Sequence, residues 1–230
     1  MQPIFITGIG TGIGKTLVSA IVTEALDAMY WKPVQAGFEE GTDTEWVGER
    51  ISHPDTRLIP ETYKLALPAS PHIAARHEGI SISLDKIVGQ WHSIRSGAAP
   101  NHTVTPHHGA APRPIVIEGA GGLLAPLNSE QFVLDLVKQL EATVILVSRN
   151  YLGSINHSLL TATVCRAHNI RVAGWIFNDQ YLQYESEIAQ WSAIPAIASI
   201  PFRDQPDKEF VGAQAKSIRP ALLTALGLPG

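Results

Sequence analysis

The residues with the clearest chemistry form a glycine-rich run near the start of the chain, Gly8-Ile9-Gly10-Thr11-Gly12-Ile13-Gly14-Lys15-Thr16. The run follows a short apolar segment and precedes a helical pattern, which is the position of a phosphate-binding loop. Glycines let the backbone wrap closely around phosphate, and the N–H groups at the start of the following helix stabilise its charge. We therefore expect Lys15 to bridge the β- and γ-phosphates of a nucleotide and Thr16 to ligate magnesium.

The loop is a variant of the common form. GxxxxGK[ST] would place its first glycine at Ile9, whereas Gly8 stands one residue earlier. The dinucleotide fingerprint GxGxxG fits poorly, because the glycines alternate and Lys15-Thr16 has no role in it. The pattern favours ATP or GTP over NAD, and a glycine-rich turn of another α/β protein is the weaker alternative.

Two carboxylates are candidates for the metal that such a loop requires. Glu118 ends the apolar run Ile115-Val116-Ile117, where α/β folds place their ligands, and Gly119-Ala120-Gly121-Gly122 keeps the next side chains small. Asp43 follows the second apolar run, although helix capping explains it equally well on local sequence alone.

Apolar strand-like runs alternate with helical patterns along most of the chain. Strands are expected over residues 4–7, 30–34, 115–117, 143–148, 172–177 and 196–200, and helices over 17–28, 44–51, 132–140, 155–168 and 185–191. Thr42 with Glu45 forms a candidate capping box, and Ser70 before Pro71 is a second candidate helix start. Several strands are apolar throughout, as in sheets covered by helices on both faces. The pattern predicts a doubly wound, mostly parallel α/β fold of the P-loop NTPase type.

Residues 96–114 interrupt this alternation. They are rich in Gly, Ala, Pro and His and have no apolar period, so we expect a surface loop. Three histidines in it could ligate a metal, but without cysteine or carboxylate companions a solvated loop is favoured: His102, His107 and His108.

Composition restricts the partners of the chain. Its 230 residues, 45% of them hydrophobic, fit one large α/β domain spanning residues 1–230. The net charge of −4, without a polybasic stretch, favours small-molecule partners over nucleic acid or an anionic membrane. The one cysteine, Cys165, excludes a disulfide within the chain and is expected to be a buried helix residue. With neither a signal peptide nor a run of transmembrane length, the expected location is the cytoplasm.

Several segments taken together resemble the dethiobiotin synthetase family, over about residues 4 to 202. They are the variant phosphate loop, Tyr30-Trp31-Lys32-Pro33-Val34-Gln35-Ala36-Gly37, Ser70-Pro71-His72, Glu118-Gly119-Ala120-Gly121-Gly122, Leu152-Gly153-Ser154-Ile155-Asn156-His157 and Gly174-Trp175-Ile176-Phe177-Asn178-Asp179. The phosphate loop is common, but this set of segments is specific.

The resemblance implies an ATP-dependent ligase that joins CO2 to 7,8-diaminononanoate and gives dethiobiotin, ADP and phosphate. An amine forms a carbamate, the carbamate attacks the γ-phosphate, and the second amine displaces phosphate to close a cyclic urea. Mg²⁺ is the implied cofactor and ATP the co-substrate. The implied assembly is a homodimer that binds the carboxylate tail of each substrate across the interface.

The resemblance also implies a role for particular residues. The implied catalytic residues are Lys15, Lys32 and Thr11. The implied magnesium ligands are Thr16, Asp43 and Glu118. Residues implied in nucleotide binding are Gly12, Ile13, Gly14, Lys15, Thr16, Leu17, Asn178, Asp179, Pro201, Phe202 and Arg203. Residues implied in substrate binding are Lys32, Ala36, Gly121, Gly122, Ser154, Ile155 and Asn156.

Local sequence alone offers plainer explanations for two of these residues. Lys32 at a strand end would be an ordinary solvated lysine. Asn178, implied to read adenine through its amide, would form a turn after a strand. The chain also departs from familiar relatives, which often have a hydroxyl residue in place of Ala36 and acidic residues in place of Gly10 and Gly12.

Two other functions compete with ring closure. A partitioning ATPase of the deviant P-loop group usually has an extra lysine early in its loop, and residues 8–13 contain none. Another amide- or urea-forming P-loop synthase usually has a separate glutamine-cleaving domain with a reactive cysteine, for which 230 residues and Cys165 leave little room.

Overall fold

A computed structural model describes residues 2–96, 113–179 and 181–229 of the chain. Within these ranges seven strands form a parallel sheet in the order β4-β2-β6-β1-β7-β8-β9. These strands are β1 (Ile4–Gly8), β2 (Met29–Trp31), β4 (Leu58–Ile59), β6 (Ile115–Gly122), β7 (Thr143–Arg149), β8 (Val172–Asn178) and β9 (Ala196–Ile200). A separate pair, β3 (Val34–Ala36) and β5 (Tyr63–Leu65), forms a small parallel sheet.

Helices follow most of the strands. They are α1 (Lys15–Ala25), α2 (Asp43–Gly48), α3 (Pro71–His77), α4 (Leu84–Ser96), α5 (Val133–Gln139), α6 (Ser154–Ala167), α7 (Glu185–Ser192) and α8 (Lys208–Leu226). No helix in the described ranges is long and apolar enough to cross a membrane.

The sheet is covered on both faces, as its apolar strands predict. Along β7, Val144 and Leu146 belong to one buried cluster, and Ile145 and Val147 belong to another. Because successive side chains of a strand point to opposite faces, the two clusters lie on the two sides of the sheet. Helices α1 and α8 contribute to the second cluster, and α4, α5 and α6 contribute to the first. The predicted doubly wound fold is confirmed.

The second expected strand, residues 30–34, is wrong as a single strand. Its first part is β2 of the main sheet, and its last residue, Val34, begins β3 of the small sheet. Pro33 lies between them and has no N–H to donate to a ladder, so pairing with the main sheet stops there. The chain therefore changes sheets directly after Lys32.

The structure also shows both predicted helix starts and the residue at which the predicted surface loop was expected to begin. The capping box of Thr42 and Glu45 is present at the start of α2. Ser70 precedes α3 as expected, but its hydroxyl bonds the Nδ1 atom of His72 at 3.1 Å and caps no backbone N–H. Ser96, the expected first residue of the surface loop, ends α4 instead. His102, His107 and His108 lie outside the described residues.

Candidate active site

The glycine-rich run connects β1 to α1 at the carboxyl edge of the sheet. Its turn depends on positive φ angles of 70° at Gly12 and 87° at Gly14, which glycine adopts without strain. Lys15, the first residue of α1, is buried and donates to the Gly10 carbonyl at 2.7 Å. Burial is the main cause that lowers the pKa of Lys15 to about 8, with Lys32 adding repulsion against the opposing pull of Glu118 and Asp43.

Glu118 is the hub of the site. It lies in β6 beside Ile6 of β1 and is only 1% exposed. Its Oε1 atom accepts from the Thr16 hydroxyl at 3.0 Å and from Lys32 Nζ at 3.0 Å. Its Oε2 atom accepts from the Tyr30 hydroxyl at 2.8 Å. Burial, and next the charge of Glu118, hold the pKa of Tyr30 well above its usual range, so this hydroxyl stays a donor.

Lys32 is buried rather than solvated. The residue is 5% exposed, and its ammonium pairs with the carboxylates of Asp43 and Glu118. Burial alone would lower the pKa of Lys32, but the two carboxylates outweigh it and raise this pKa above its ordinary value. Lys32 is therefore a permanent positive charge between the two candidate metal ligands.

Asp43 takes no part in helix capping. Thr42 caps α2, and Asp43 is the first residue of that helix, with its side chain on Lys32. Gln35 fixes the position of the first residue of α2. Its Oε1 atom accepts from the Asp43 N–H at 3.2 Å, and its Nε2 atom donates to the Gly37 carbonyl at 2.7 Å. The side chain of Asp43 is thus left for charge interactions.

The residues around Glu118 fit a magnesium ion that is completed by a nucleotide. Thr16 and Glu118 already approach each other at 3.0 Å, and Lys32 draws Asp43 to the same place. Among the described residues no three His, Cys, Asp or Glu side chains form a metal cluster. Mg²⁺ does not need one, since it usually takes one or two protein carboxylates and completes its shell with phosphate oxygens and water.

A cavity of about 950 Å³ joins these groups to the phosphate loop. Its lining includes the following expected site residues: Gly10, Thr11, Gly12, Gly14, Lys15, Thr16, Lys32, Ala36, Asp43, Glu118, Gly121 and Gly122. A Cβ atom at Gly122 would lie 3.1 Å from the Gly8 carbonyl, so a larger residue there would have to push the backbone of the phosphate loop aside. Phosphate-side and substrate-side residues therefore share one space.

The residues expected around the nucleotide base lie at the same edge but largely outside this cavity. Asn178 Nδ2 donates to the Ile13 carbonyl at 3.1 Å, and a Cβ atom at Gly14 would come within 1.9 Å of it. Asp179 pairs with Arg149 at 3.3 Å, and both line a second cavity of about 670 Å³ together with Phe202.

The other expected nucleotide residues differ in exposure. Ile13 is buried and Leu17 is partly buried against the same cluster, so both contribute packing beneath the loop. Pro201 is half-buried after β9, and Arg203 is exposed with its guanidinium 6.0 Å from the Phe210 ring centroid.

The expected tail-binding residues open α6 away from the first cavity. Ser154 is fully buried, its hydroxyl lies 2.7 Å from the Tyr184 hydroxyl, and its N–H donates to the Tyr151 carbonyl at 2.9 Å. Ile155 and Asn156 follow in the first turn of the helix. None of these three lines the cavity that holds Lys32.

Sequence reasoning missed three polar residues of the site. Tyr30 lies in an apolar run and looks like an ordinary core residue. Gln35 stands inside the segment that carries the resemblance, but its two hydrogen bonds depend on where α2 begins. Arg149 ends β7 opposite Asn178, the last residue of β8, and pairs with Asp179 directly after that strand. The charge of Arg149 at a strand's carboxyl end was the signal that could have found it.

Solved structures with a similar course of the chain have little similarity in sequence. The MinC:MinD cell division complex of Aquifex aeolicus matches with a TM-score of 0.57 and 13% identity, covering 100% of this chain and 97% of that one. A ParA family ATPase from Chlorobium tepidum matches with a TM-score of 0.53 and 14% identity, covering 99% and 100%. These likenesses show the fold. Fold and site together define a P-loop nucleotide-binding protein.

Relatives in sequence narrow this class. A family described as "AAA domain" matches residues 2–209. An "ATP-dependent dethiobiotin synthetase BioD" of Cytophaga hutchinsonii is 47% identical over 178 residues, 77% of this chain and 77% of the relative. The protein of the same name from Christiangramia forsetii is 38% identical over 219 residues, 95% and 96% of the two chains. The chain belongs to the dethiobiotin synthetase family and is an ATP-dependent enzyme.

Proposed function

We propose that the protein closes the ureido ring of dethiobiotin from 7,8-diaminononanoate and CO2, with hydrolysis of ATP to ADP and phosphate. Membership of the family supports the reaction. The main structural support for this reaction is the cavity of about 950 Å³, whose lining includes the phosphate loop, Lys32 and Glu118. A phosphate donor and an acceptor can meet in this one space.

The proposed chemistry proceeds through anionic species. One amine nitrogen attacks CO2 and loses a proton, which gives a carbamate. A carbamate oxygen then attacks the γ-phosphorus, and ADP leaves. The second amine attacks the carbon of this mixed anhydride, phosphate leaves, and the ring closes. Fixed positive charge that faces these oxygens accelerates each transfer, because it needs no reorganisation as charge develops.

Lys15 and Lys32 are the cations that we propose for this role. Lys15 lies at the start of α1, where the helix also directs backbone N–H groups toward phosphate. Lys32 pairs with Glu118 and lines the same cavity as Ala36 of the small sheet. We assign Lys15 to the phosphates of ATP, Lys32 to the carbamate, and Thr11, Gly121 and Gly122 to the surface between them.

Magnesium is proposed at Thr16, Asp43 and Glu118. The approach of Thr16 to Glu118 at 3.0 Å supports this assignment, as does the position of Asp43 across Lys32. When bound, the ion would neutralise charge on the β- and γ-phosphates.

We propose that the base of ATP lies over Asn178 and Asp179, with Pro201, Phe202 and Arg203 beside it. The contact of Asn178 with Ile13 supports this, since it brings the end of β8 against the phosphate loop. Residues Gly12 to Leu17 would hold the phosphates that lead to the base.

We further propose a homodimer in which α6 of the opposite chain receives the carboxylate tail of the substrate. A helix N-terminus stabilises a carboxylate, but the N-terminus of a chain's own α6 does not line the cavity that holds Lys32. The N–H of Ser154 is already bonded to Tyr151, so the N–H groups of Ile155 and Asn156 are the donors that we assign to the tail. Two-fold symmetry would serve both sites in the same way.

Exposed leucines in α6 and directly before it support this assembly. Leu152 is 98% exposed and Leu160, which lines the cavity, is 56% exposed. Light scattering at assay concentration tests the proposal directly. The expected mass is twice that of one chain, and a monomer under conditions of full activity would refute the dimer.

One reaction tests the proposed chemistry. Purified protein is given ATP, Mg²⁺, bicarbonate and the diamine, and the product is identified by mass. We expect the mass of dethiobiotin, one ADP for each ring closed, and incorporation of one carbon from labelled bicarbonate. ATP hydrolysis that does not depend on the diamine, without any ring product, would contradict the proposal. We place the reaction in the cytoplasm, which imaging of a fluorescent fusion in the native cell tests.

A further inference from the structure

Tyr30 is a buried tyrosine whose hydroxyl donates a hydrogen bond to a buried carboxylate. It lies in β2 opposite Val116 of β6 and has no exposed surface. Its ring belongs to the apolar cluster that contains Ile21 and Val116. The hydroxyl leaves this apolar surrounding at one point, where it donates to Glu118 Oε2 at 2.8 Å.

The two oxygens of Glu118 are treated differently by their neighbours. Oε1 accepts from Thr16 and from Lys32, both of which belong to the proposed phosphate and carbamate machinery. Oε2 accepts from Tyr30, which comes from the core beneath the sheet edge. A glutamate carboxylate rotates about a broad, nearly two-fold terminal torsion, so neither oxygen has an intrinsic preference for either side. A donor that meets one oxygen from one side removes this equivalence.

We propose that Tyr30 is a positioning residue that holds Glu118 Oε2 away from the ion and thereby presents Oε1, beside Thr16, as the magnesium ligand. The proposal rests on the magnesium site assigned above. Without the hydroxyl, the Oε2 atom of a buried carboxylate would lose its donor, which costs far more in the interior than at a surface. The carboxylate would then turn to share its donors, and Thr16 and Glu118 would no longer face the ion together.

Tyr30→Phe removes the hydroxyl and keeps the ring. The measurement is calorimetric titration of ADP into the full-length protein at a series of Mg²⁺ concentrations. We expect the Mg²⁺ concentration for half-maximal tightening to rise about tenfold, the usual effect of losing a hydrogen bond to a charge. ADP affinity without Mg²⁺ should stay within about twofold, because Tyr30 does not line the phosphate cavity.

The matched control is Tyr63→Phe. Tyr63 is also a buried tyrosine, and its hydroxyl accepts from the Ser83 N–H at 2.9 Å, away from Glu118. We expect its Mg²⁺ dependence to match that of the parent. An equal Mg²⁺ dependence in Tyr30→Phe, Tyr63→Phe and the parent would overturn the inference. Ring closure by Tyr30→Phe should recover at saturating Mg²⁺, which a general loss of packing would not produce.

Glu118→Gln separates this inference from the metal assignment. If Glu118→Gln leaves the Mg²⁺ dependence unchanged, the magnesium site itself is wrong. If it changes that dependence and Tyr30→Phe does not, the role of Tyr30 alone is wrong. If Tyr30→Phe alone does not fold, the double variant Tyr30→Phe/Glu118→Gln takes its place, because it lacks both the hydroxyl donor and the buried charge that needs it. We expect Tyr30→Phe to have no further effect on Mg²⁺ in the Glu118→Gln background, and an additive loss would contradict action through Glu118.

Discussion

Lys15 and Lys32 supply the positive charge of the site from different surroundings. Within the described ranges Lys15 has only the Gly10 carbonyl as a hydrogen-bond partner of its ammonium, and burial lowers its pKa to about 8. A bound phosphate would therefore stabilise its charged form. Lys32 already has two carboxylates and a raised pKa, so its charge is held in place before any substrate binds. The two lysines should therefore fail in different ways when they are replaced.

Lys15→Gln should lower kcat for ring closure by about a hundredfold or more, because charge moving onto the transferred phosphoryl group loses its partner. Steady-state release of phosphate in the presence of the diamine measures this. Lys138→Gln, an exposed lysine in α5, is the control and should retain the parent rate. A kcat near the parent value in Lys15→Gln would remove the phosphate-loop assignment.

Lys32→Met keeps most of the buried side-chain volume and removes the ammonium. We expect ring closure to fall by about a hundredfold or more while ADP binding is largely retained, since the carbamate and not the nucleotide loses its partner. Product mass spectrometry and calorimetry separate the two effects. Lys64→Met, an exposed lysine in β5, should behave as the parent does. If Lys32→Met still closes the ring at the parent rate, Lys32 has only a structural charge.

At this scale the sequence predicted which residues the structure brings together around Glu118 better than it predicted their contacts. Lys15, Thr16, Asp43 and Glu118 follow from residue type and position next to predicted strands. The hydroxyl of Tyr30 could not be predicted, because its role depends on the register that places it beside Glu118.

The phosphate loop offers a matched pair of glycines at the scale of an element. A Cβ atom at Gly14 would lie 1.9 Å from Asn178 Nδ2 at a φ of 87°, whereas at Gly10 it would meet no described atom within 4 Å. Gly14→Ala should therefore strain the loop, force the Asn178 side chain off the Ile13 carbonyl and weaken ADP binding by tenfold or more, about 1.4 kcal/mol. Gly10→Ala should bind ADP nearly as the parent does. Equal affinities of the two variants, measured by calorimetry, would contradict this account of the loop.

An ion pair between a buried arginine and a partly buried glutamate ties the end of α1 to β4. Arg57, just before β4, is 1% exposed and bonds the Ala28 carbonyl and Glu24. Burial alone would raise the pKa of Glu24, but hydrogen bonds from Ser52 and Arg57 outweigh it and hold this pKa below its ordinary value. A carboxyl whose pKa is lower in the folded state contributes stability above the unfolded pKa and loses it as pH falls through the folded one.

Glu24→Gln should for this reason flatten the acid side of the stability profile. We expect the urea midpoint to change less between neutral pH and pH values below the ordinary range of a glutamate than it does in the parent. The control is Glu130→Gln, an exposed residue, which should keep the parent's slope. A variant profile as steep as that of the parent would show that Glu24 is not the group that responds.

Elements with continuous apolar runs were predicted, and two helices were not. In α4, Leu84, Ile87 and Trp91 are buried at helical spacing, so a signal was present before the segment 96–114. In α8 the spacing of Val211, Ala215 and Ile218 is also helical, but Pro220 stands inside the helix and makes such a pattern look broken. At Pro33 the error was the reverse: one strand was predicted where the chain forms two, because a run of apolar residues does not show a change of sheet.

At the scale of the whole molecule, subunit mixing tests whether each active site uses two chains. One parent is Lys15→Gln, and the other is Asn156→Asp, which places a negative charge in the first turn of α6 where the tail carboxylate would bind. Asn156 is exposed, so the exchange disturbs the fold less than a change at the buried Ser154. In a mixed dimer one site collects both defects and the other collects none. Activity should therefore rise above that of either parent after exchange. No gain after demonstrated exchange would show that each chain binds its own tail.

The change of sheets at Pro33 divides the cavity wall between two sheets. The strands of the seven-stranded sheet supply the phosphate loop and Glu118, while the small sheet and residues 68–71 supply the facing wall of the cavity through Gln35 and Ala36. Changes confined to residues 34–36 and 68–71 therefore alter this wall without altering any strand of the seven-stranded sheet. Acceptor amines of a different shape should therefore be accommodated by substitutions in these two segments, while the phosphate loop and Glu118 stay unchanged.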